Sequence, residues 1–264
     1  MKNQEVNPVR KNMASGSILS RNKGGISNSS PSQKVELSNG VKVAIFDLDG
    51  TLVSRHVWLG IVKYNLKEKE NLFPVFWYIF YHMALIPFWK IGFLSQEEYY
   101  KSWGQDIATM IKGKNQRKTS IFFQWLAKEY LLPSIKKNIL KRLKEHQKKG
   151  FSTILLSGSF QGLLNIIANQ LNINFAIGTK LEIKKDKFSG RIVPPLCFGK
   201  QKVEKLENFL SQKKLKVNFK ESFAYSDSIF DLPMLKSVGH PIVVEPDKEL
   251  LKIASKNSWE TLQS

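Results

Sequence analysis

Cysteine and histidine are scarce in this chain: among 264 residues there is one cysteine, Cys197, and there are four histidines. A lone cysteine cannot close an intramolecular disulfide, and no Cys/His cluster carries zinc-ligand spacing. A disulfide scaffold and a structural zinc module are therefore both excluded. Cys197 itself follows two prolines in an apolar patch and is expected to serve packing. Acidic residues are also few, with 22 Asp and Glu against 41 Lys and Arg and a formal net charge of +19. That excess favours anionic partners such as phosphorylated metabolites or acidic lipid. Much of it is lysine scattered among asparagine and isoleucine, a composition that a biased genome also produces, and nucleic acid is not the expected partner. A secretory signal is not expected either, since "KNMASGSILSRNKGGISNSS" offers neither a continuous apolar segment nor a small-residue cleavage site. The expected location is cytoplasmic, with membrane association as the alternative.

What is present suffices for a packed interior, since 42% of the chain is hydrophobic and 11% aromatic. Residues 1–37, rich in Asn, Ser, Gly and Lys, read as a disordered basic tail. Order is expected to begin at "VKVAIF", Val41–Phe46, a β-branched run suited to a strand buried on both faces of a parallel sheet. A charged helix over about 134–149, closed by Gly150, leads to a second such strand, "STILLS", Ser152–Ser157. A helix over 160–171, two β-like segments in "FAIGTKLEIK" and "KFSGRIV", and a helix over 202–210 follow. The strand "ESFAYS", a short helix, the strand "PIVVE" behind a turn at His240, and a final helix from Asp247 complete the reading. Strands alternating with helices define an α/β class with a parallel sheet and helices on both sides.

The segment between the first two strands reads as helical throughout, so the expected division is a core of residues 38–54 and 134–264 with a helical cap at 55–133. Within the cap, residues 71–94 are apolar over a length that raises the question of a membrane span. Pro74, His82, Pro87 and Lys90 interrupt the run. A hydrophobic helical hairpin is expected there in place of a transmembrane helix, with peripheral membrane contact through 71–94 as the alternative. His82, among aromatics and with no second histidine nearby, is expected to be an interfacial or hydrogen-bonded side chain rather than a ligand.

The sharpest motif is "FDLDGTL", Phe46–Leu52, directly after the first strand. In an open parallel sheet ligands bind beyond the carboxyl ends of the strands, and there Asp47 and Asp49 are delivered. With one residue between them, both can approach one divalent cation, one through its carboxylate and the other through its backbone carbonyl. The second carboxyl group then stays free for proton transfer. A calcium loop is excluded because its ligand positions hold Ile45 and His56. In "LLSGS" the Ser157 hydroxyl and the Gly158 amide are placed to hold a phosphate oxygen. "FGKQKVEKL" puts Lys202 at a helix start, where an ammonium neutralises a phosphoryl group, with Lys200 as the competing candidate. "AYSDSIFDLPML" places Asp227 and Asp231 after a strand, suited to one metal ligand and one acid supporting it from behind.

In the order Asp-x-Asp, Ser, Lys, Asp-x-x-x-Asp, these residues resemble the haloacid dehalogenase superfamily. "EHQKKGFSTILLSGS", "GRIVPPLCFGKQKVEKL" and "YSDSIFDLPMLKSVGHPIVVEPDKELLKIASKNSW" look most like its subfamily IB hydrolases, relatives of phosphoserine phosphatase. The resemblance implies a Rossmann-like three-layer core, a C1-type helical cap after the first motif, Mg²⁺ as cofactor and phosphomonoester hydrolysis. It makes Asp47 the nucleophile that forms an aspartyl-phosphate, and Asp49 the acid for the leaving alkoxide and then the base for water. Asp47, Asp49 and Asp227 become the metal-binding set, Ser157, Gly158 and Lys202 the phosphate-binding set, and Asp231 the supporting acid. The chemistry is sound, because a carboxylate nucleophile divides one difficult displacement into two while Mg²⁺ and Lys202 offset the gathered charge. An acid at Asp49 also separates the chain from the related ion-pumping ATPases.

Two departures weaken phosphoserine as the substrate: His56 stands where those phosphatases carry an acid for the substrate amine, and Phe230 where they carry Asn. The expected function is a Mg²⁺-dependent phosphomonoester hydrolase acting on a small phosphorylated metabolite. One alternative is a membrane-peripheral phospholipid-precursor phosphatase. Another is a non-catalytic basic protein binding anionic partners, against which the presence of both Asp47 and Asp49 argues.

Overall fold

The computed structural model describes residues 40–263. The expected disordered tail at 1–37 lies outside the described residues. The strands are β1 (Val43–Phe46), β2 (Ser152–Phe160), β3 (Phe175–Lys184), β4 (Lys187–Val193), β5 (Phe223–Ser226), β6 (His240–Val244) and β7 (Glu260–Leu262). They form one sheet in the order β4-β3-β2-β1-β5-β6-β7. All neighbours pair in parallel except the β3–β4 hairpin. In the segment 55–133 after β1 lie α1 (Val57–Glu68), α2 (Leu72–Lys90), α3 (Gln96–Asp106) and α4 (Gln116–Trp125). Those that follow are α5 (Lys137–Lys148), α6 (Gln161–Gln170), α7 (Lys200–Gln212), α8 (Leu232–Lys236) and α9 (Lys248–Lys256).

Alternation along β1 accounts for the layering. Ala44 and Phe46 point into one apolar cluster with Ile139 and Leu143 of α5 and Leu163 and Ile167 of α6. Val43 and Ile45 point into the other, with Leu206 and Leu210 of α7 and Leu250 of α9. Successive side chains of a strand face opposite sides, so an uninterrupted apolar run is what a strand covered on both faces requires. The architecture is the expected α/β one, helices on both sides of a mostly parallel sheet.

Four local readings need correction. Residues 71–94 do not form a hairpin: α2 is a single helix from Leu72 to Lys90. Pro74 sits in its first turn, where backbone N–H groups lack intrahelical partners, and Pro87 disturbs the ladder only near its end. The strand at "STILLS" continues to Phe160, with a register irregularity between Leu156 and Phe160 that carries Ser157–Ser159 out of regular pairing. His240 is not in a turn but opens β6, its ring stacked on Phe223 at 4.5 Å. The chain does not end its sheet at β6, since "ETL" adds the edge strand β7, whose 3 residues are too few to show periodicity. His82, expected to be interfacial or hydrogen-bonded, is instead buried, ringed by Tyr78, Tyr81, Tyr99 and Trp103, with Nε2 3.4 Å from Asp106 Oδ2. Cys197 is fully buried in the α7 cluster.

Candidate active site

β1 lies between β2 and β5, and Phe46 is in register with Leu155 on one side and Tyr225 on the other. The Asp47 amide donates to the Tyr225 carbonyl at 3.1 Å, so the strand's pairing carries this residue to the carboxyl edge of the sheet. Its carboxylate is buried and its Oδ1 accepts from Lys202 Nζ at 2.6 Å. Lys202 belongs to the inward face of α7, which runs Lys202, Leu206, Leu210 at helical spacing. The stem therefore packs with the core while the ammonium reaches the strand ends. Lys200, two residues earlier, is exposed. Lys202 Nζ also donates to Asp231 Oδ2 at 2.7 Å, an oxygen that Ser226 Oγ approaches at 2.6 Å.

Asp49 is handled differently. Its Oδ1 accepts from the Val57 amide at 2.5 Å and its Oδ2 from Ser159 Oγ at 3.2 Å. His56, the residue before α1, makes no side-chain cap, so the remote carboxylate of Asp49 caps that helix. Gly50 has φ of +79°, and a Cβ built there would lie 2.2 Å from Asp227 Oδ2. Only glycine permits both the turn and the approach of Asp227. The other oxygen of Asp227 accepts from Thr51 Oγ1 at 2.8 Å. Lys136 Nζ clamps the turn by donating to the Gly50 carbonyl at 2.6 Å while pairing with Glu245 at 2.7 Å. Ser157 is buried, its Oγ accepting from the Ser159 amide at 3.2 Å, and Thr179 Oγ1 donates to the Gly158 carbonyl at 2.8 Å.

Asp47, Asp49, Ser157, Gly158, Lys202, Asp227 and Asp231 all line one cleft of about 1010 Å³. Sequence reasoning passed over Thr51, Lys136 and Ser159. Thr51 and Ser159 sit inside motifs already quoted, Thr51 two residues after Asp49 in "FDLDGTL" and Ser159 two residues after Ser157 in "LLSGS". Lys136 has none, being one of many scattered lysines. At the positions of departure, His56 lines the cleft, and the Phe230 ring packs between Tyr100 and Phe198 at 5.1 and 4.8 Å.

Charge is unevenly compensated in this cleft. Burial drives the Asp47 carboxyl well above the usual carboxylate range; Lys202 opposes the shift, and Asp231 and Asp227 add to it. Burial pushes Asp227 up to about 6 against the Thr51 hydrogen bond. Asp49 is also raised by burial, with the Val57 amide working against it. For Lys202, burial alone would lower the pKa, yet Asp231 and Asp47 hold it above the ordinary lysine value. Four carboxylates thus gather near one buried ammonium, which bonds Asp47 and Asp231, and a hard divalent cation beside Asp47 and Asp227 would relieve the excess. Among the described residues no three acidic, histidine or cysteine side chains form a ready metal cage. Such an open arrangement fits an ion that keeps several waters and takes one or two carboxylates plus phosphate oxygens.

The chain belongs to the haloacid dehalogenase-like hydrolase family, whose sequence model matches residues 44–236. A histidinol-phosphatase of Neisseria meningitidis is 26% identical over 231 residues, which cover 83% of this chain and 97% of that one. The structure of a protein of unknown function from Bordetella pertussis superposes with a TM-score of 0.71 at 20% identity, over 85% of this chain and 99% of its own. A phospho-aspartyl intermediate analogue of phosphoserine phosphatase superposes with a TM-score of 0.57 at 19% identity, over 84% and 93%. Within its family the chain is a phosphatase of phosphoserine-phosphatase-like architecture.

Proposed function

We propose that this phosphatase is a Mg²⁺-dependent phosphomonoester hydrolase that works through an aspartyl-phosphate on Asp47. The observation that carries the reading is the contrast between two carboxylates in one cleft. Asp47 is bonded to Lys202 at 2.6 Å, whereas Asp49 is held by Val57 and Ser159. One is set where an ammonium can also meet a phosphoryl group; the other has a carboxyl whose raised pKa suits proton donation. The phosphoryl oxygens are bound by Lys202, the Ser157 hydroxyl and the Gly158 amide. Asp47 attacks phosphorus, and Asp49 gives its proton to the leaving alkoxide. Asp49, now ionised, takes a proton from the water that releases phosphate and regenerates Asp47. Mg²⁺, when bound by Asp47, Asp227 and the Asp49 backbone carbonyl, supplies the positive charge that lets an anionic nucleophile meet an anionic ester.

The reading is tested by turnover of a small ³²P-labelled phosphomonoester followed by acid quench. Protein-bound label that hydroxylamine removes is expected in the wild type and absent in Asp47→Asn. Undiminished hydrolysis by Asp47→Asn would overturn the assignment.

A further inference from the structure

The exposed side of α2 takes no part in the phosphate chemistry. Its inward stripe is narrow, with Val75, Tyr78 and His82 buried and Tyr78 Oη donating to the Trp103 carbonyl at 3.1 Å. Ile86 and Trp89 continue that stripe and line the catalytic cleft, where the Trp89 ring stacks on Tyr99 at 5.3 Å. The remaining circumference is not polar, as that of a surface helix would be. Phe73, Phe76, Trp77, Phe80 and Met83 each leave more than half of their surface open, and Lys90 is the helix's one charged residue. Among the described residues α2 is the helix long and apolar enough to cross a bilayer, but its buried stripe ties it along the protein.

We propose that α2 rests on an anionic lipid bilayer and that the cleft behind it takes its phosphomonoester from that bilayer, as the phosphorylated headgroup of a lipid. The substrate class rests on the phosphomonoesterase reading above. Charge selects the occupant. Exposed Lys69 precedes the helix, exposed Lys112 is tied to it by the Asn71 side chain donating to its carbonyl at 3.1 Å, and exposed Lys90 closes it. Glu70, at the same end, is taken up by Lys114 and Lys118. Aromatic rings between lysines suit the headgroup boundary of an anionic membrane. A second copy of the chain would bring the same lysines against one another. Continuity selects the substrate: one helix presents Phe76 and Phe80 to the outside and Ile86 and Trp89 to the cleft, so an acyl-bearing ester meets apolar wall from bilayer to phosphate site. The phosphorus–oxygen bond to the lipid breaks, Asp47 receives the phosphoryl group, and the lipid hydroxyl keeps the proton from Asp49. Water then releases phosphate, one lipid alcohol and one phosphate forming per water consumed.

The test uses the full chain with vesicles of phosphatidylcholine, with and without phosphatidylglycerol, both carrying a trace of phosphatidate, and with soluble p-nitrophenyl phosphate as a second substrate. Expected are co-sedimentation with the anionic vesicles and release of phosphate from phosphatidate. The triple variant Phe76→Ser, Trp77→Ser, Phe80→Ser should lose about tenfold or more of both while keeping the rate on p-nitrophenyl phosphate. Wild type that stays in the supernatant at low salt overturns the proposal, where charge attraction is least screened. So does a concentration-dependent dimer that the triple variant abolishes, because the face would then be a self-interface. Hydrolysis of p-nitrophenyl phosphate without hydrolysis of phosphatidate overturns the substrate class and leaves the phosphatase reading intact. Vesicle binding with neither ester hydrolysed overturns the phosphomonoesterase reading and the substrate class with it.

Discussion

The Asp49 carboxylate accepts the Val57 amide at 2.5 Å, so the residue assigned to proton transfer is also the cap of the first helix inserted after β1. Chemistry at the strand end and the start of the helical segment are thereby joined through one side chain. Ser159 holds its second oxygen.

Asp49→Asn keeps an oxygen for the Val57 amide but removes the transferable proton. Turnover of p-nitrophenyl phosphate should fall by about 10²–10⁴, the usual span for general acid–base catalysis. KM should stay within about tenfold, since the lost interaction belongs to the transition state. A large rise in KM at unchanged kcat would contradict this role.

Lys202→Met leaves Asp47 and Asp231 without the ammonium that bonds both. Removing one partner of a buried ion pair costs about 3–5 kcal/mol. Asp47 is already raised by burial, and without Lys202 it rises further. A carboxyl whose folded pKa lies above its unfolded value favours the folded state in acid and loses that contribution as pH rises. Urea unfolding should therefore show a smaller deficit near pH 5 than near pH 8. Equal deficits at both would count against the charge-based account.

Added Mg²⁺ should raise the melting temperature, by the equivalent of about 2.7 kcal/mol at a hundredfold excess over its dissociation constant. Asp227 is pushed up to about 6, so protons compete with the ion below that pH. The rise should be complete above neutral pH, fade as pH falls through 6, and be absent or strongly reduced in Asp227→Asn. Gly50→Ala should weaken it too, because the new Cβ meets Asp227 Oδ2. A Mg²⁺ effect indifferent to pH and to both substitutions would remove Asp227 from the ligand set.

His146 Nε2 lies 2.8 Å from Tyr225 Oη, with its ring against Phe151 and Phe223. Burial pushes its pKa down to about 4, with Lys149 and Arg142 adding to the effect. The unfolded chain therefore takes up a proton that the folded one refuses. Stability from this source is complete above the ordinary value of 6.5 and is lost as pH falls toward 4. His146→Gln should be less stable than wild type at neutral pH and should lack that portion of the acid decline. Parallel curves from pH 7 to 4 would refute the assignment.

Asp47 and Asp49 were readable because an apolar strand breaks directly into acid, and a parallel sheet presents that break at its binding edge. Lys202 and Lys200 both stood as candidates in the sequence, and the fold separates them, burying Lys202 on the face of α7 that carries Leu206 and Leu210 and leaving Lys200 exposed. Lys136, by contrast, acts on the Gly50 carbonyl from 86 positions away, and no local pattern marks such a partner. α2 was misjudged because prolines count as interruptions in a linear reading, whereas their cost depends on which turn they occupy.

The order of the core strands and helices as far as α9, the acidic strand end and the apolar character of α2 were determined by the sequence alone, because each is a matter of residue type at local spacing. The tertiary structure decided which charges share a cavity, and hence that Asp47 lies against Lys202 while Asp49 caps α1. It also decided that α2 has a narrow inner stripe and an open outer face. Burial and pairing are properties of distant segments brought together, and α2 is apolar on all sides, so its composition cannot say which side the protein covers.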